Sequence, residues 1–154
     1  PIEAVKSESQ SELLSQIRIC SCARILIVDD NPFNTMALET ILSSLDIKCE
    51  SVYSGSDCIE KLLNRQKKTC GSLNCNQYPV IFIDQEMPEM NGIETVTEIK
   101  RLQSEGLVSD MKLIGCTAHK GEEETERFLA SGLNQCVCKP VSIVMIKDIL
   151  KEVL

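Results

Sequence analysis

The chain contains no tryptophan, and aromatic side chains make up only 3% of its 154 residues. Phe33, Phe82, Phe128, Tyr53 and Tyr78 are the whole set, so any role that calls for a ring falls to one of these five. There is one histidine, His119, and no CxxC pair, which leaves a zinc site with little support. No apolar run reaches membrane-spanning length, and no signal-peptide pattern is present. Positive charge is the minority: 16 Lys and Arg stand against 23 Asp and Glu, for a net charge of −7. An acidic chain of this kind disfavours direct binding to nucleic-acid phosphates. Internal repeats and low-complexity tracts are also missing.

Cysteine, by contrast, is plentiful. The nine cysteines include Cys20 and Cys22, Cys136 and Cys138, and Cys70 and Cys75 around a Gly-Ser-Leu-Asn loop. Cys49, Cys58 and Cys116 sit inside apolar patterns, where a thiol acts as a small hydrophobe. The expectation is reduced, mostly structural thiols in a cytoplasmic protein. A Cys70–Cys75 disulfide or a metal site is the alternative. With 43% apolar and 25% charged residues, the chain is long and apolar enough for one globular domain. It begins at Pro1 without a methionine, as a piece of a longer protein would.

Residues 1–22 are polar and mixed, and are expected to form a linker or N-terminal extension; residues 23–154 form the expected domain. Arg24–Val28 is the first apolar run, ending in Asp29 and Asp30. Asn31-Pro32 then opens a helix whose Leu38, Ile41, Leu42 and Leu45 share a face. Cys49–Val52 reads as a second strand, and Ser54 caps the next helix. Residues 66–78 are long for a connection in such a unit and read as an inserted surface loop. Val80–Ile83 is continuous, apolar and without alternation, so it predicts a strand buried on both faces, with Asp84 at its carboxyl end. A turn with Pro88 and Asn91-Gly92 follows. Ile93, Val96, Ile99 and Leu102 then mark a third helix, stopped near Gly106. Lys112–Cys116 is a fourth strand leading into Thr117. A fourth helix runs from Gly121 to Gly132, and its three opening glutamates suit the positive end of a helix dipole. Gln135–Cys138 is a fifth strand ending in Lys139-Pro140. Ser142 caps a last helix, with Ile143, Ile146, Leu150 and Val153 on one face. Five strand–helix repeats imply an α/β parallel sheet covered by helices on both faces.

In such a sheet the strand-end residues Asp29, Asp30, Asp84, Thr117 and Lys139 converge on one edge. Three carboxylates so close repel and raise one another's pKa. A hard divalent cation with oxygen ligands relieves that repulsion. A carboxylate can be a nucleophile and carry an aspartyl phosphate. Lys139 and Thr117 supply an ammonium and a hydroxyl for the transferring oxygens.

The stretches Ile25-Leu-Ile-Val-Asp-Asp-Asn-Pro, Ile83-Asp-Gln-Glu-Met-Pro-Glu-Met-Asn-Gly92, Cys116-Thr-Ala and Lys139-Pro140 together resemble the receiver domains of two-component response regulators. The wording is most like the receivers of hybrid histidine kinases. The resemblance implies a flavodoxin-like (βα)5 sandwich with strand order 2-1-3-4-5, an order already established for this family. It implies phosphorylation of Asp84 by a histidine kinase or histidine phosphotransfer protein, with Mg2+ (or Mn2+) held by Asp30, Asp84, the Glu86 carbonyl and, through water, Asp29. Thr117 is the implied switch hydroxyl, Ala118 the small neighbour that admits the donor, and Lys139 the contact to a phosphoryl oxygen, with a cis bond to Pro140. Glu86 and His119 fall at positions that tune phosphate loss, an autophosphatase activity.

One position departs from the family pattern. Cys136 stands where an inward-turning aromatic usually couples to the switch hydroxyl, so output by that ring is not expected. Phe33, Asn34 and Ala37 open the first helix beside the pocket as the expected docking contact for a histidine-bearing partner. A C-terminal receiver joined to an upstream kinase is the expected context, and a stand-alone regulator the other. Two further readings remain beside phosphotransfer. One is a receiver that binds without taking phosphate. The other is a haloacid-dehalogenase-like phosphatase, which wants a second Asp where Glu86 stands.

Overall fold

A computed structural model of the chain describes residues 22–67, 77–118 and 121–153. The expected linker, apart from Cys22, lies outside the described residues, as do the Cys70–Cys75 loop and His119. Among the described residues five strands alternate with five helices: β1 (Ile25–Val28), α1 (Pro32–Ser44), β2 (Cys49–Val52), α2 (Gly55–Gln66), β3 (Val80–Asp84), α3 (Gly92–Ser104), β4 (Lys112–Thr117), α4 (Glu122–Ala130), β5 (Gln135–Cys138) and α5 (Ile143–Val153). Every strand pairing is parallel, and the sheet order is β2-β1-β3-β4-β5. The flavodoxin-like arrangement expected from the resemblance is the one observed.

The apolar runs of β1 and β3 are buried along their whole lengths, because successive side chains enter opposite cores. Leu26, Val28, Ile81 and Ile83 pack with Leu62, Val96 and Phe128 on the side of α2, α3 and α4. Ile25, Ile27, Val80 and Phe82 pack with Leu38, Leu42 and Ile146 on the side of α1 and α5. The helices start where their caps allow. Asn31 accepts a bond from the Phe33 N–H with Pro32 just inside the helix, and Ser54 accepts from Asp57. Asn91 and Glu94 form a reciprocal capping box at α3, and Ser142 accepts from Met145 at α5.

Two expectations are corrected. Ile143, placed on the buried face of the last helix, is 40% exposed, while Ile149 is buried beside Ile146 and Leu150. The buried face of the helix begins one turn in, at Ile146. The side chain of Val153 lies outside the described ones. The borders of the expected loop 66–78 belong to the body of the domain: Gln66 ends α2, and Tyr78 is completely buried. The buried Arg65 guanidinium lies 4.2 Å from the Tyr78 ring centroid and donates to the Ala23 carbonyl at 2.6 Å. A tyrosine in polar sequence looks solvated, but its ring supplies a flat apolar face on which a buried guanidinium stacks.

Candidate functional site

The carboxyl edge of the sheet gathers the strand-end residues. Asp84 closes β3 opposite Cys116 of β4. The ladder then runs on past the strands: the Gln85 N–H donates to the Cys116 carbonyl at 2.9 Å, and the Lys139 N–H to the Thr117 carbonyl at 2.8 Å. These bonds set Asp84, Thr117 and Lys139 side by side before any side chain takes part. Asp29 follows β1 directly and is anchored by its N–H to the Val52 carbonyl at 3.2 Å. After Asp84 the chain turns back so tightly that the Gly92 N–H donates to the Gln85 carbonyl at 2.9 Å. A Cβ at Gly92 would stand 2.5 Å from the Asp84 carbonyl oxygen, so only glycine permits the approach.

Carboxylate oxygens of Asp29, Asp30 and Asp84 lie within 4.8 Å of one another. Asp29 and Asp84 are buried and Asp30 is exposed. The Lys139 ammonium donates to Asp84 Oδ1 at 2.8 Å and to Asp29 Oδ2 at 2.9 Å. The Asn31 N–H donates to the other Asp29 oxygen at 2.9 Å. Burial, reinforced by the charges of Asp29 and Asp30 and opposed by the hydrogen bond and charge of Lys139, leaves the Asp84 carboxyl raised to about 6. Burial acts to lower Lys139, but its bonds to Asp84 and Asp29 outweigh this and leave its pKa raised. One ammonium against three carboxylates leaves the site short of positive charge. Three clustered oxygen donors with that deficit fit a hard divalent cation.

The remaining expected residues fall around this centre. Glu86 and Ala118 are exposed and line, with Asp30 and Asp84, an open cleft of about 680 Å³. Thr117 is fully buried, and its hydroxyl donates to Gln85 Oε1. Cys136 is half-buried and packs against the core on the α2–α4 side; burial raises its thiol pKa. Phe33 is 81% exposed, so it is a surface group and not part of the core. Asn34 and Ala37 line a second cavity of about 300 Å³ that reaches Asp84, Lys139, Pro140 and Val141. The Lys139–Pro140 bond is cis, as the resemblance implies. Three residues escaped the sequence reading: Gln85 at the site, and the exposed Met36 of α1 and Val144 of α5. Gln85 sits directly after Asp84 and could have been flagged as a polar residue at a position buried by the turn. Nothing in the local pattern marked the other two.

A doubly wound parallel sheet with an acid cluster and a lysine at its carboxyl edge defines a phosphoryl-handling α/β domain in general terms. The family model for the response regulator receiver domain matches residues 25–151, and the chain belongs to that family. It is 33% identical over 126 residues to the sensor histidine kinase RcsC of Escherichia coli K12, covering 82% of this chain and 12% of that protein. It is 27% identical over 129 residues to the hybrid signal transduction histidine kinase L of Dictyostelium discoideum, covering 84% of this chain and 7% of that one. The chain thus spans a small part of the relatives it matches. Among solved structures, the receiver domain of the histidine kinase CKI1 from Arabidopsis thaliana, complexed with Mg2+ and BeF3−, superposes with a TM-score of 0.72 at 24% identity. That match covers 84% of this chain and 90% of the other. The receiver domain of the sensor histidine kinase PA1611 from Pseudomonas aeruginosa PAO1, with a magnesium ion in its active-site cleft, gives 0.66 at 25% identity. It covers 86% of this chain and 98% of the other. These relations make the domain a two-component receiver homologous to parts of larger histidine kinases, which removes the dehalogenase-like phosphatase reading. No helix among the described residues is long and apolar enough to cross a membrane.

Proposed function

We propose that Asp84 accepts a phosphoryl group from a phosphohistidine on a histidine kinase or histidine phosphotransfer protein. The observation that carries this is the Lys139 ammonium held between Asp84 and Asp29, with Asp30 in the same cluster. An Asp84 carboxylate oxygen attacks phosphorus, a P–O bond forms and the P–N bond to the imidazole breaks. The departing imidazole keeps the electron pair and takes a proton from water. Lys139 stabilises charge on a phosphoryl oxygen, and the Thr117 hydroxyl is a second donor to that group. Asp29, Asp30, Asp84 and the backbone carbonyl of Glu86 would hold Mg2+, with Mn2+ as a substitute. When bound, the cation neutralises charge shared between the carboxylates and the phosphoryl oxygens. Glu86, which lines the cleft, and His119, by the resemblance, govern how fast water removes the phosphoryl group, and Ala118 leaves room for the donor.

The docking face is the start of α1, with Phe33, Asn34 and Ala37; the exposed Met36 lies on the same helix start, and Pro140 lines the cavity that Asn34 and Ala37 line. An apolar rim around a charged site suits a helical partner that brings a histidine to Asp84. We place the domain, residues 23–154, on the cytoplasmic side of its parent kinase. The buried thiols of Cys58 and Cys116 support this, since they serve as core groups.

The test compares this chain with Asp84→Asn in acetyl phosphate or beryllofluoride, each with Mg2+. With acetyl phosphate the expected outcome is an intact mass increase of one phosphoryl group in the parent and none in the variant; with beryllofluoride it is binding to the parent and none to the variant. A receiver that binds its partner without phosphate is the second reading, favoured by Cys136 in place of the coupling ring. An unchanged parent mass, with partner binding intact, would establish that reading instead.

A further inference from the structure

The Thr117 hydroxyl has one proton to give, and in this structure the proton goes to Gln85. Both residues are buried, Thr117 at 0% and Gln85 at 8% exposure, so bulk water does not readily replace either partner. The Gln85 side chain is held at its other end as well: Nε2 donates to the Glu124 carbonyl in the first turn of α4 at 3.3 Å. Asn31, Ser54 and Asn91 cap α1, α2 and α3 through their side chains, whereas Gly121 offers α4 no side-chain cap. A single amide therefore spans from the residue beside Asp84 to the first turn of α4, by way of the hydroxyl expected to recognise a phosphoryl group.

We propose that Gln85 is a positioning residue that withholds the Thr117 hydroxyl until a phosphoryl group on Asp84 competes for it, and that α4 responds to the exchange. The inference rests on Asp84 being the phosphoryl acceptor. A phosphoryl oxygen carries charge and accepts more strongly than a neutral amide oxygen, so the hydroxyl turns to it once it is present. The turn leaves Gln85 Oε1 buried without that donor, an arrangement that costs free energy until another donor is found. The amide must then rotate, or the first turn of α4 must move to supply an N–H. Either response alters the bond to the Glu124 carbonyl. The route needs no aromatic ring, which agrees with the thiol at Cys136.

The full chain, Gln85→Met, Thr117→Val and the double variant are compared for aspartyl-phosphate formation with acetyl phosphate and Mg2+, and for hydrolysis after donor removal. Methionine keeps the length of the side chain and removes both amide partners. Formation in Gln85→Met is expected to rise about three- to tenfold, the factor that matches one lost hydrogen bond in the resting state. Hydrolysis is expected to stay within about twofold, since the bond is already broken in the phosphorylated state. In the Thr117→Val background the same change is expected to leave formation unaltered, as a double-mutant cycle requires of a pair that acts together. A rate equal to or below the parent's in Gln85→Met overturns the proposal, and so does a gain that survives in Thr117→Val. A parent chain that takes no phosphate removes the acceptor reading and this inference together, which separates the two failures. Should Gln85→Met not fold, the parent decides by NMR. Beryllofluoride with Mg2+ is expected to shift the Gln85 side-chain amide resonances, and stationary resonances overturn the proposal.

Discussion

Asp29, Asp30 and Asp84 set three negative charges against the single ammonium of Lys139, and the imbalance has a thermodynamic consequence in metal-free protein. Asp84 is the residue that bears it, with its pKa raised from 3.8 to about 6. A carboxyl whose folded pKa is raised keeps its proton in the native state after the unfolded chain has lost it. Its contribution to stability is therefore most favourable below about pH 4, and it is lost as pH rises through about 6. Asp84→Asn removes that dependence. In chelator, the variant is expected to gain on the parent as pH rises from about 4 to about 6, by about 1–3 kcal/mol above that window. Urea melts at several pH values measure the difference. With Mg2+ added, the ranking is expected to narrow or reverse, because the parent gains a ligand that the variant binds weakly.

At the scale of elements, the site depends on how closely α3 returns to β3. The capping box of Asn91 and Glu94 starts the helix, and Gly92 lets that start lie against the Asp84 carbonyl. A methyl group there meets backbone at 2.5 Å and 2.9 Å and the Phe128 ring at 2.9 Å. Backbone cannot yield as a flexible side chain can, so the turn must open. Gly92→Ala is expected to cost about 2–4 kcal/mol in equilibrium unfolding, the range of overpacked and strained sites. It should also slow phosphorylation, because Asp84 moves with its carbonyl. Asn91→Ala, which loses only a cap, is expected to cost about 1 kcal/mol. Equal losses in the two variants would show that the close approach is not what makes Gly92 necessary.

Across the whole molecule, Arg65 joins parts far apart in sequence. From α2 it donates to the Ala23 carbonyl ahead of β1, reaches Glu50 of β2 at 3.4 Å and stacks on Tyr78 ahead of β3. Arg65→Ala leaves a buried carbonyl without its guanidinium donor and uncovers one face of a ring. It is expected to lower stability by about 2–4 kcal/mol, measured by denaturant unfolding. Phosphorylation should persist in folded protein, since Arg65 lies ahead of the strands and not at their carboxyl ends. The thiols report on the same cooperativity. Burial pushes Cys58 and Cys116 up to about 12, and for Cys116 it outweighs the opposing pull of Lys139. Both are expected to resist iodoacetamide in native protein and to react only as fast as the domain unfolds. Peptide mass spectrometry of native and urea-treated samples checks this.

The elements, their order and the residues at the strand ends were legible in the sequence, because each depends on neighbours in the chain. The unbroken run Val80–Ile83 marks a strand with two buried faces, Asn31-Pro32 marks a helix start, and parallel pairing then carries Asp29, Asp84, Thr117 and Lys139 to one edge. The hydrogen-bond partners at that edge were not legible. Lys139 meets Asp84 across 55 positions and Thr117 meets Gln85 across 32. No local periodicity records which rotamer a buried side chain takes or which of several acceptors receives its proton. The buried stack of Arg65 on Tyr78 was missed for the same reason: a charged and a polar residue read as surface until packing places each against the other. The sequence by itself determined that an acid cluster forms with a lysine beside it. Tertiary structure decided how the single ammonium is shared and where the Thr117 hydroxyl points, because those depend on distances that exist only once the sheet is closed.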